Sequence, residues 1–230
     1  MAMADMDLWQ GQSSGALVLH PPEGEGTDTL SPLLQTLCTA VNSGFWGSAR
    51  MTLVGVHGAD WHLDTQNVPG WVWLVWSNLL YAPQRVAGRH FVLELSGQKQ
   101  VVNIQPRAYV APMPLPNMAV DIAQMTEVMS EFFIRFNFAQ KLSAPDRDAF
   151  CKQLDVWAAL LDAGAFPMRE ASQEMSVIGA YSSRFEDYQT GLVEAEGMVG
   201  AYECLGALIS LCNRWNVTQR LVSVELVHTP

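Results

Sequence analysis

The chain has 230 residues, of which 49% are hydrophobic and only 16% are charged, so its composition is that of a folded globular protein and not of a disordered one. Its 13 basic residues stand against 23 acidic ones, and the formal net charge of −10 disfavours nucleic acid and anionic membrane surfaces as partners. A basic protein is the kind of partner that such a charge attracts.

The cysteines and the N-terminus indicate an intracellular protein. No two of the four cysteines form a CxxC pair, and no histidine is spaced so that it could complete a zinc site with them. We therefore expect the cysteines to be reduced thiols in the core. Residues 1–15 contain neither a basic segment nor an apolar segment of the kind found in secretory signals, and no apolar run is long enough to span a bilayer. These features predict a cytoplasmic protein that does not insert into a membrane.

The N-terminal half contains the clearest β signals. Gly15–His20 and Met51–Val56 are rich in strand formers, and Phe91–Leu95 is followed by a Ser-Gly turn and then by Val101–Ile104, which predicts an antiparallel hairpin. The run Trp71–Trp76 is apolar at every position, so its periodicity cannot separate a strand from a buried helix that begins near Pro69. We favour a strand.

One early helix is predicted between these strands. Asp28, Thr29 or Ser31 can cap its start, and Pro32 then lies in the first turn, where proline is tolerated. An apolar face then follows at spacings of three and four, and Gly44 ends the helix. The residues of this face are Leu33, Leu34, Leu37, Cys38 and Val41.

The C-terminal half is predicted to be mainly helical. Apolar residues between Met118 and Phe136 recur at steps of three and four, which predicts an amphipathic helix. Ser143 begins a capping box for a second helix, with Phe150, Leu154, Trp157 and Leu161 on its buried side and Gly164 at its end. A third helical pattern runs from Phe185 to Tyr202, although Gly197 and Gly200 weaken it.

The predicted fold class is α+β: a mainly antiparallel N-terminal sheet with one early helix, covered by a C-terminal layer of three helices. The last strand candidate, within Gln219–His228, returns to that sheet and joins both halves into one domain. No internal repeat is evident. The predicted boundaries are a flexible tail 1–14 and a single domain 15–230, divided into a sheet-rich half 15–111, a proline connector 112–116, a helical half 117–216 and a closing strand 218–228.

Two imidazoles and two carboxylates lie close together directly after a strand candidate. Their donor atoms suit zinc, iron or manganese, and the four residues are His57, Asp60, His62 and Asp64. The two histidines are five positions apart, unlike the four of the helical HExxH motif, and no distant third ligand is identifiable. A polar loop held by a tryptophan explains the same residues, so we predict no metal and no cofactor and keep this cluster as the enzymatic alternative.

Motif-defined enzyme classes find no support in the chain. It contains no GxSxG nucleophile elbow, no phosphate-binding loop and no GxGxxG dinucleotide turn. A carboxylate within an apolar pattern, as at Glu94 and Asp155, is a candidate general acid or base when it is buried, but both fit the outward side of an amphipathic element.

The remaining features suggest a non-enzymatic protein-binding module. Trp71, Trp73 and Trp76 are too close in sequence to be equally buried on a one-sided sheet, and tryptophan is enriched at interfaces as well as in cores. Glu194, Glu196 and Glu203 give the last predicted helix an acidic side that could dock a basic partner. An antitoxin or immunity protein, a chaperone and an assembly adaptor all fit this description, and a structural subunit of a larger assembly, including a homo-oligomer, is the third hypothesis.

Overall fold

The computed structural model describes residues 12–70, 72–81, 89–104, 128–165, 179–199 and 221–228, together with positions 208, 211–212, 214–216 and 218–219. The elements in chain order are β1 (Gln12–His20), α1 (Thr27–Ser43), β2 (Arg50–His57), β3 (Asp60–Pro69), α2 (Val72–Tyr81), β4 (His90–Leu95), β5 (Gln98–Asn103), β6 (Val128–Phe138), α3 (Ala144–Asp162), β7 (Tyr181–Phe185), β8 (Thr190–Val199) and β9 (Leu221–His228). The described positions between 208 and 219 are helical and are called the C-terminal helical segment.

The strands form two antiparallel sheets with the same topology. The first sheet has the order β2-β3-β1-β4-β5, and the second has the order β7-β8-β6-β9. In each half a strand, a helix, a hairpin, helical residues and a further strand follow one another, which is the β-α-β-β-α-β arrangement of ferredoxin-like folds. The repeat is therefore one of topology, and β5 is an addition to the first sheet.

The helices lie between the two sheets. Helix α1 packs on β2 of the first sheet, α3 packs on β7 of the second, and α1 and α3 pack on each other. One cluster of buried apolar side chains draws residues from both sheets and all three helices. Because the helices cover only the inward sides, each sheet has an outer face on which no described helix packs.

Several local predictions are confirmed. Helix α1 buries Leu34, Leu37, Cys38 and Val41, and Gly44 ends it in the left-handed conformation. Helix α3 begins after Ser143, whose hydroxyl accepts the backbone N–H of Asp146, and it buries the four predicted residues Phe150, Leu154, Trp157 and Leu161. Strands β1, β2, β4 and β5 also lie where the sequence predicts them, although β1 starts at Gln12, within the predicted tail.

The tryptophan run is helical, so the prediction of a strand there is wrong. Trp73 and Trp76 lie in α2, of whose ten residues eight are buried, and Trp71 lies outside the described residues. A helix that is apolar on all sides is buried on most of its surface, and the α2 sequence therefore has no periodicity that distinguishes it from a doubly buried strand.

Two predicted helices of the C-terminal half are strands instead. The part of the Met118–Phe136 pattern that the structure describes is β6, and the Phe185–Tyr202 pattern contains β7 and β8. A spacing of four places two residues on the same side of both a helix and a strand, so the steps of four in this pattern do not distinguish the two structures. The turn between β7 and β8 is set by Asp187, whose carboxylate accepts the backbone N–H groups of Gln189 and Thr190.

The chain is an α+β protein, but its predicted layers are not formed. Among the described parts of the C-terminal half, α3 is the one long helix, so the three-helix layer is wrong. Strand β9 is a strand as predicted, yet it pairs with β6 and extends the second sheet instead of closing the first. The proline connector 112–116 and residues 1–11 lie outside the described residues.

Candidate functional site

The outer face of the first sheet combines polar and apolar side chains. Leu17 and Leu19 of β1 point into the core, so the alternate residues Val18 and His20 lie on the outer face. The pairing register extends this face across the sheet, because Val18 lies opposite both His62 and Glu94. On β4 and β5, Glu94 lies opposite Lys99 and Val92 lies opposite Val101.

A polar network crosses this outer face. The Nδ1 atom of His20 lies 2.8 Å from Oδ1 of Asp60, and its Nε2 atom lies 3.3 Å from Oε2 of Glu94. The same Glu94 oxygen lies 3.3 Å from Nζ of Lys99. Lys99, and after it His20, hold the pKa of Glu94 below its ordinary value by hydrogen bonding to the carboxylate. Charged and polar groups of β1, β3, β4 and β5 are thus linked.

The four metal-ligand candidates from the sequence lie on the β2–β3 hairpin. His57 pairs with Asp60 across the tight turn, and the rings of His57 and His62 meet edge to face at 4.6 Å between centroids. The Asp60 carboxylate is engaged by His20, while Asp64 is exposed on β3. Among the side chains that the structure describes, no three His, Cys, Asp or Glu residues are grouped so that they could hold a metal ion.

His20 belongs to none of the sites predicted from the sequence. His20 and Glu94 are 74 residues apart, and only the pairing of β1 with both β3 and β4 brings their side chains together. Alternation along Gly15–His20 could have placed His20 opposite the buried leucines, but no local signal indicates its neighbours. The expectation that Glu94 points outward is confirmed by its position on the outer face.

Two of the tryptophan candidates belong to the core. Trp73 and Trp76 are fully buried in α2, and the Trp76 ring packs edge to face on Trp61 at 6.0 Å. Trp61 in turn donates from Nε1 to the Ser31 hydroxyl at 3.1 Å, which ties β3 to α1. Their burial removes Trp73 and Trp76 from any partner surface in this conformation.

The glutamate candidates lie on or beyond β8. Glu194 is on the outer face of the second sheet, where it forms an ion pair with Arg184 that lowers the pKa of the Glu194 carboxyl. Glu196 pairs through its backbone with Glu131 of β6, and Glu203 lies outside the described residues. The predicted acidic helix side is therefore a strand, and its first glutamate already has a basic partner.

Further ion pairs lie on the outer face of the second sheet. Arg135 of β6 lies 3.6 Å from Glu186 and 4.0 Å from Glu225. Leu192 lies opposite Arg135 on this face and is nevertheless buried. The outer face of the second sheet therefore presents a layer of paired charges.

We expect two of the thiols to be inert in the folded protein. Burial raises the pKa of Cys38 to about 11 and that of Cys212 to about 12, so almost no thiolate is present at neutral pH. Cys151 is only half-buried, although burial also raises its pKa. When the native protein is treated with a thiol-specific chromogenic reagent, Cys151 should be modified first among these three cysteines. Peptide mapping would identify the modified residue. Modification of Cys38 at the rate seen in urea would contradict this prediction.

Comparison with known proteins adds no functional evidence. No protein-family model matches the chain, and no curated protein sequence is similar to it. A proposed glycine cleavage system transcriptional repressor aligns at 9% identity and a TM-score of 0.20, over 93% of this chain and 98% of the other. A CRISPR-associated protein from Thermus thermophilus aligns at 16% identity and a TM-score of 0.18. Thermus thermophilus Cse3 bound to an RNA that represents a pre-cleavage complex aligns at 15% identity and a TM-score of 0.18. The last two alignments each cover 92% of this chain and 98% of the other.

These structures are similar to the chain at a level that establishes neither fold nor function. None of the helices in the described part of the chain has both the length and the apolar character needed to cross a membrane.

Proposed function

We propose that this protein is a non-enzymatic binding module that recognises a basic protein through the outer face of its first sheet. The observation that carries the proposal is the combination of exposed valines and carboxylates on this one face. An immunity protein or antitoxin, a chaperone and an assembly adaptor all work by such recognition. The metal-enzyme alternative has no supporting geometry among the described side chains.

The apolar part of the face suits protein burial. Val54, at the bulge of β2, is 69% exposed, and Val101 of β5 is 54% exposed. Val18 and Val92 lie half-buried between them. Apolar surface contributes about 25 cal/mol per Å² when it is removed from water, so a partner that covers this face gains from each valine.

The charge of the face favours a basic partner. Asp60, Asp64 and Glu94 lie on it together with two basic residues. These are Lys99, whose charge Glu94 already offsets, and Arg50, which donates to the carbonyl of Ala49. The chain as a whole carries −10, which increases the rate of encounter with a basic protein at low ionic strength. On the second sheet, the acidic side chains Glu186, Glu194 and Glu225 each lie within ion-pair distance of Arg135 or Arg184, so we expect no docking there.

Two substitutions test the face against a matched control. Val101→Lys removes an exposed valine and adds a charge that repels a basic partner, and Asp64→Lys reverses a charge on the same face. Val222→Lys changes a valine of nearly the same exposure, 53% against 54%, on β9 of the second sheet. Tagged wild-type and variant proteins would be recovered from lysate of the source cells and analysed by native mass spectrometry.

The proposal expects one basic protein, bound in stoichiometric amount, to accompany the wild type and Val222→Lys. Recovery should fall about tenfold or more with Val101→Lys or Asp64→Lys, and it should fall for the wild type as salt is raised. Recovery of the same partner by all four proteins would place the binding surface elsewhere and overturn the proposal. So would the absence of any stoichiometric heterologous partner.

A further inference from the structure

Four of the five histidines of the chain lie on the outer face of the first sheet. His20 of β1, His62 of β3 and His90 of β4 each lie next to a residue that is buried on the inner side of its strand. His57 of β2 belongs to the same face, because its ring meets that of His62. The fifth histidine, His228, is in β9 of the second sheet. Imidazole is the side chain that ordinarily changes its charge between pH 5 and 8, so this face collects the groups that respond to pH in that range.

His20 lies between two of the carboxylates that the face offers to a partner. Its Nδ1 atom is 2.8 Å from Asp60, and its Nε2 atom is 3.3 Å from Glu94. A neutral imidazole donates a hydrogen bond from one nitrogen only, whereas a protonated imidazole donates from both. Protonated His20 would therefore hold both carboxylates through charge-assisted hydrogen bonds. It would occupy the two groups that a lysine or arginine of a partner needs.

The other charged groups of the face keep their charge over the same range. Carboxylates ordinarily titrate near pH 4, and lysine and arginine titrate above pH 10. These groups are Arg50 on β2, Asp60 and Asp64 on β3, Glu94 on β4 and Lys99 on β5. Arg89, beside His90 in the sequence, is paired with Glu25 at 3.0 Å. Three carboxylates and two cations leave the face with one negative charge, and four protonated imidazoles would turn it into three positive charges.

We propose that these histidines make partner binding sensitive to pH, so that the outer face of the first sheet binds its basic partner near pH 7.5 and releases it near pH 5.5. This inference rests on the proposed function, because a reversal of charge causes release only if the partner is basic. Two effects act in the same direction. The positive face repels the partner, and His20 competes for Asp60 and Glu94.

NMR of the full chain with a defined basic probe tests the proposal. The probe is an N-acetylated peptide of ten lysines, whose charge does not change between pH 5.5 and 7.5. Its dissociation constant would be measured at low salt from the shifts of the β1, β3 and β4 amides. We expect it to be about tenfold higher, or more, at pH 5.5 than at pH 7.5. The imidazole resonances, followed in the same samples, should report protonation as the binding weakens.

Substitution of the histidines by glutamine identifies the groups responsible. His57→Gln combined with His90→Gln changes two exposed side chains outside the His20 network and should lower the effect of pH to about threefold. Adding His20→Gln and His62→Gln should lower it to less than about twofold. The double variant keeps the test available if the fourfold variant does not fold. The matched control is His228→Gln, which should keep the full effect of the wild type.

The other outcomes separate this inference from the proposed function. Equal affinity of the wild type at both pH values would overturn the inference and leave the proposed function in place. So would a pH effect that persists in both glutamine variants of the face, or one that His228→Gln removes. If the probe shifts no amide of the face at pH 7.5, both the proposed function and the inference are wrong.

Discussion

Replacing Phe150 by alanine is expected to lower the free energy of unfolding by about 3–5 kcal/mol. Phe150 of α3 is buried where α3, the second sheet and the C-terminal helical segment meet. Its ring packs edge to face on those of Phe136 and Trp215, each at 5.0 Å between centroids. It also contacts Phe138 at 5.4 Å and Phe185 at 5.8 Å. No neighbour can collapse into the space without losing its own contacts, so the full cost of the cavity should be observed.

Urea denaturation followed by tryptophan fluorescence would measure the loss, with the slope of the transition checked for constancy between variants. Tyr188→Ala is the control, because Tyr188 is 56% exposed and the cations of Arg147 and Lys141 lie over its ring. We expect that change to cost about 1 kcal/mol or less. A loss at Phe150 no larger than at Tyr188 would mean that the aromatic cluster does not hold α3 on the second sheet.

Replacing Gly44 by alanine is expected to cost about 2 kcal/mol or more. Gly44 ends α1 with a φ of 91°, a conformation that costs an L-residue about 1–2 kcal/mol. A Cβ atom at this position would also lie 2.8 Å from Cδ of Arg214 and would overlap its guanidinium group. Arg214 donates to the carbonyl of Gly47 at 2.9 Å, so the C-terminal helical segment is attached to the α1–β2 connection at this point.

Gly47→Ala separates the two causes. Gly47 also has a positive φ, of 66°, but a Cβ atom there would meet nothing within 4 Å. Its substitution should therefore cost the backbone strain alone, and the excess at Gly44 should measure the clash with Arg214. Combining Gly44→Ala with Arg214→Ala should remove that excess in a double-mutant cycle based on urea denaturation. Equal losses at the two glycines would show that Arg214 moves aside without cost.

The sequence predicted best those elements whose signals are local. Gly44 and Ser143 mark helix ends, because a left-handed C-cap and a side-chain N-cap depend on one or two residues. The β4–β5 hairpin is also local, since its turn at Ser96 and Gly97 has positive φ at both positions and fixes the register of the two strands.

Predictions failed where two structures share one pattern. Phe132 and Phe136 of β6 and Leu192 of β8 fit a helical spacing, but pairing with neighbouring strands determined the outcome. Their backbone groups form ladders with residues far away in the sequence, and this energy has no trace in a local window. The run from Trp71 to Trp76 failed for the opposite reason, since a wholly apolar segment has no periodicity at all.

The candidate site was predictable only in part. The sequence by itself determined an acidic α+β chain, the end of α1 at Gly44, the start of α3 at Ser143 and the β4–β5 hairpin. It placed His57–Asp64 in a polar loop, whereas Asp60–Pro69 is strand β3 of a hairpin. Only the tertiary structure decided that His20, Asp60 and Glu94 meet on one outer face, because β1 pairs with both β3 and β4. It also decided the twofold repeat of topology, since strand order depends on burial and pairing between distant segments, which composition and periodicity do not encode.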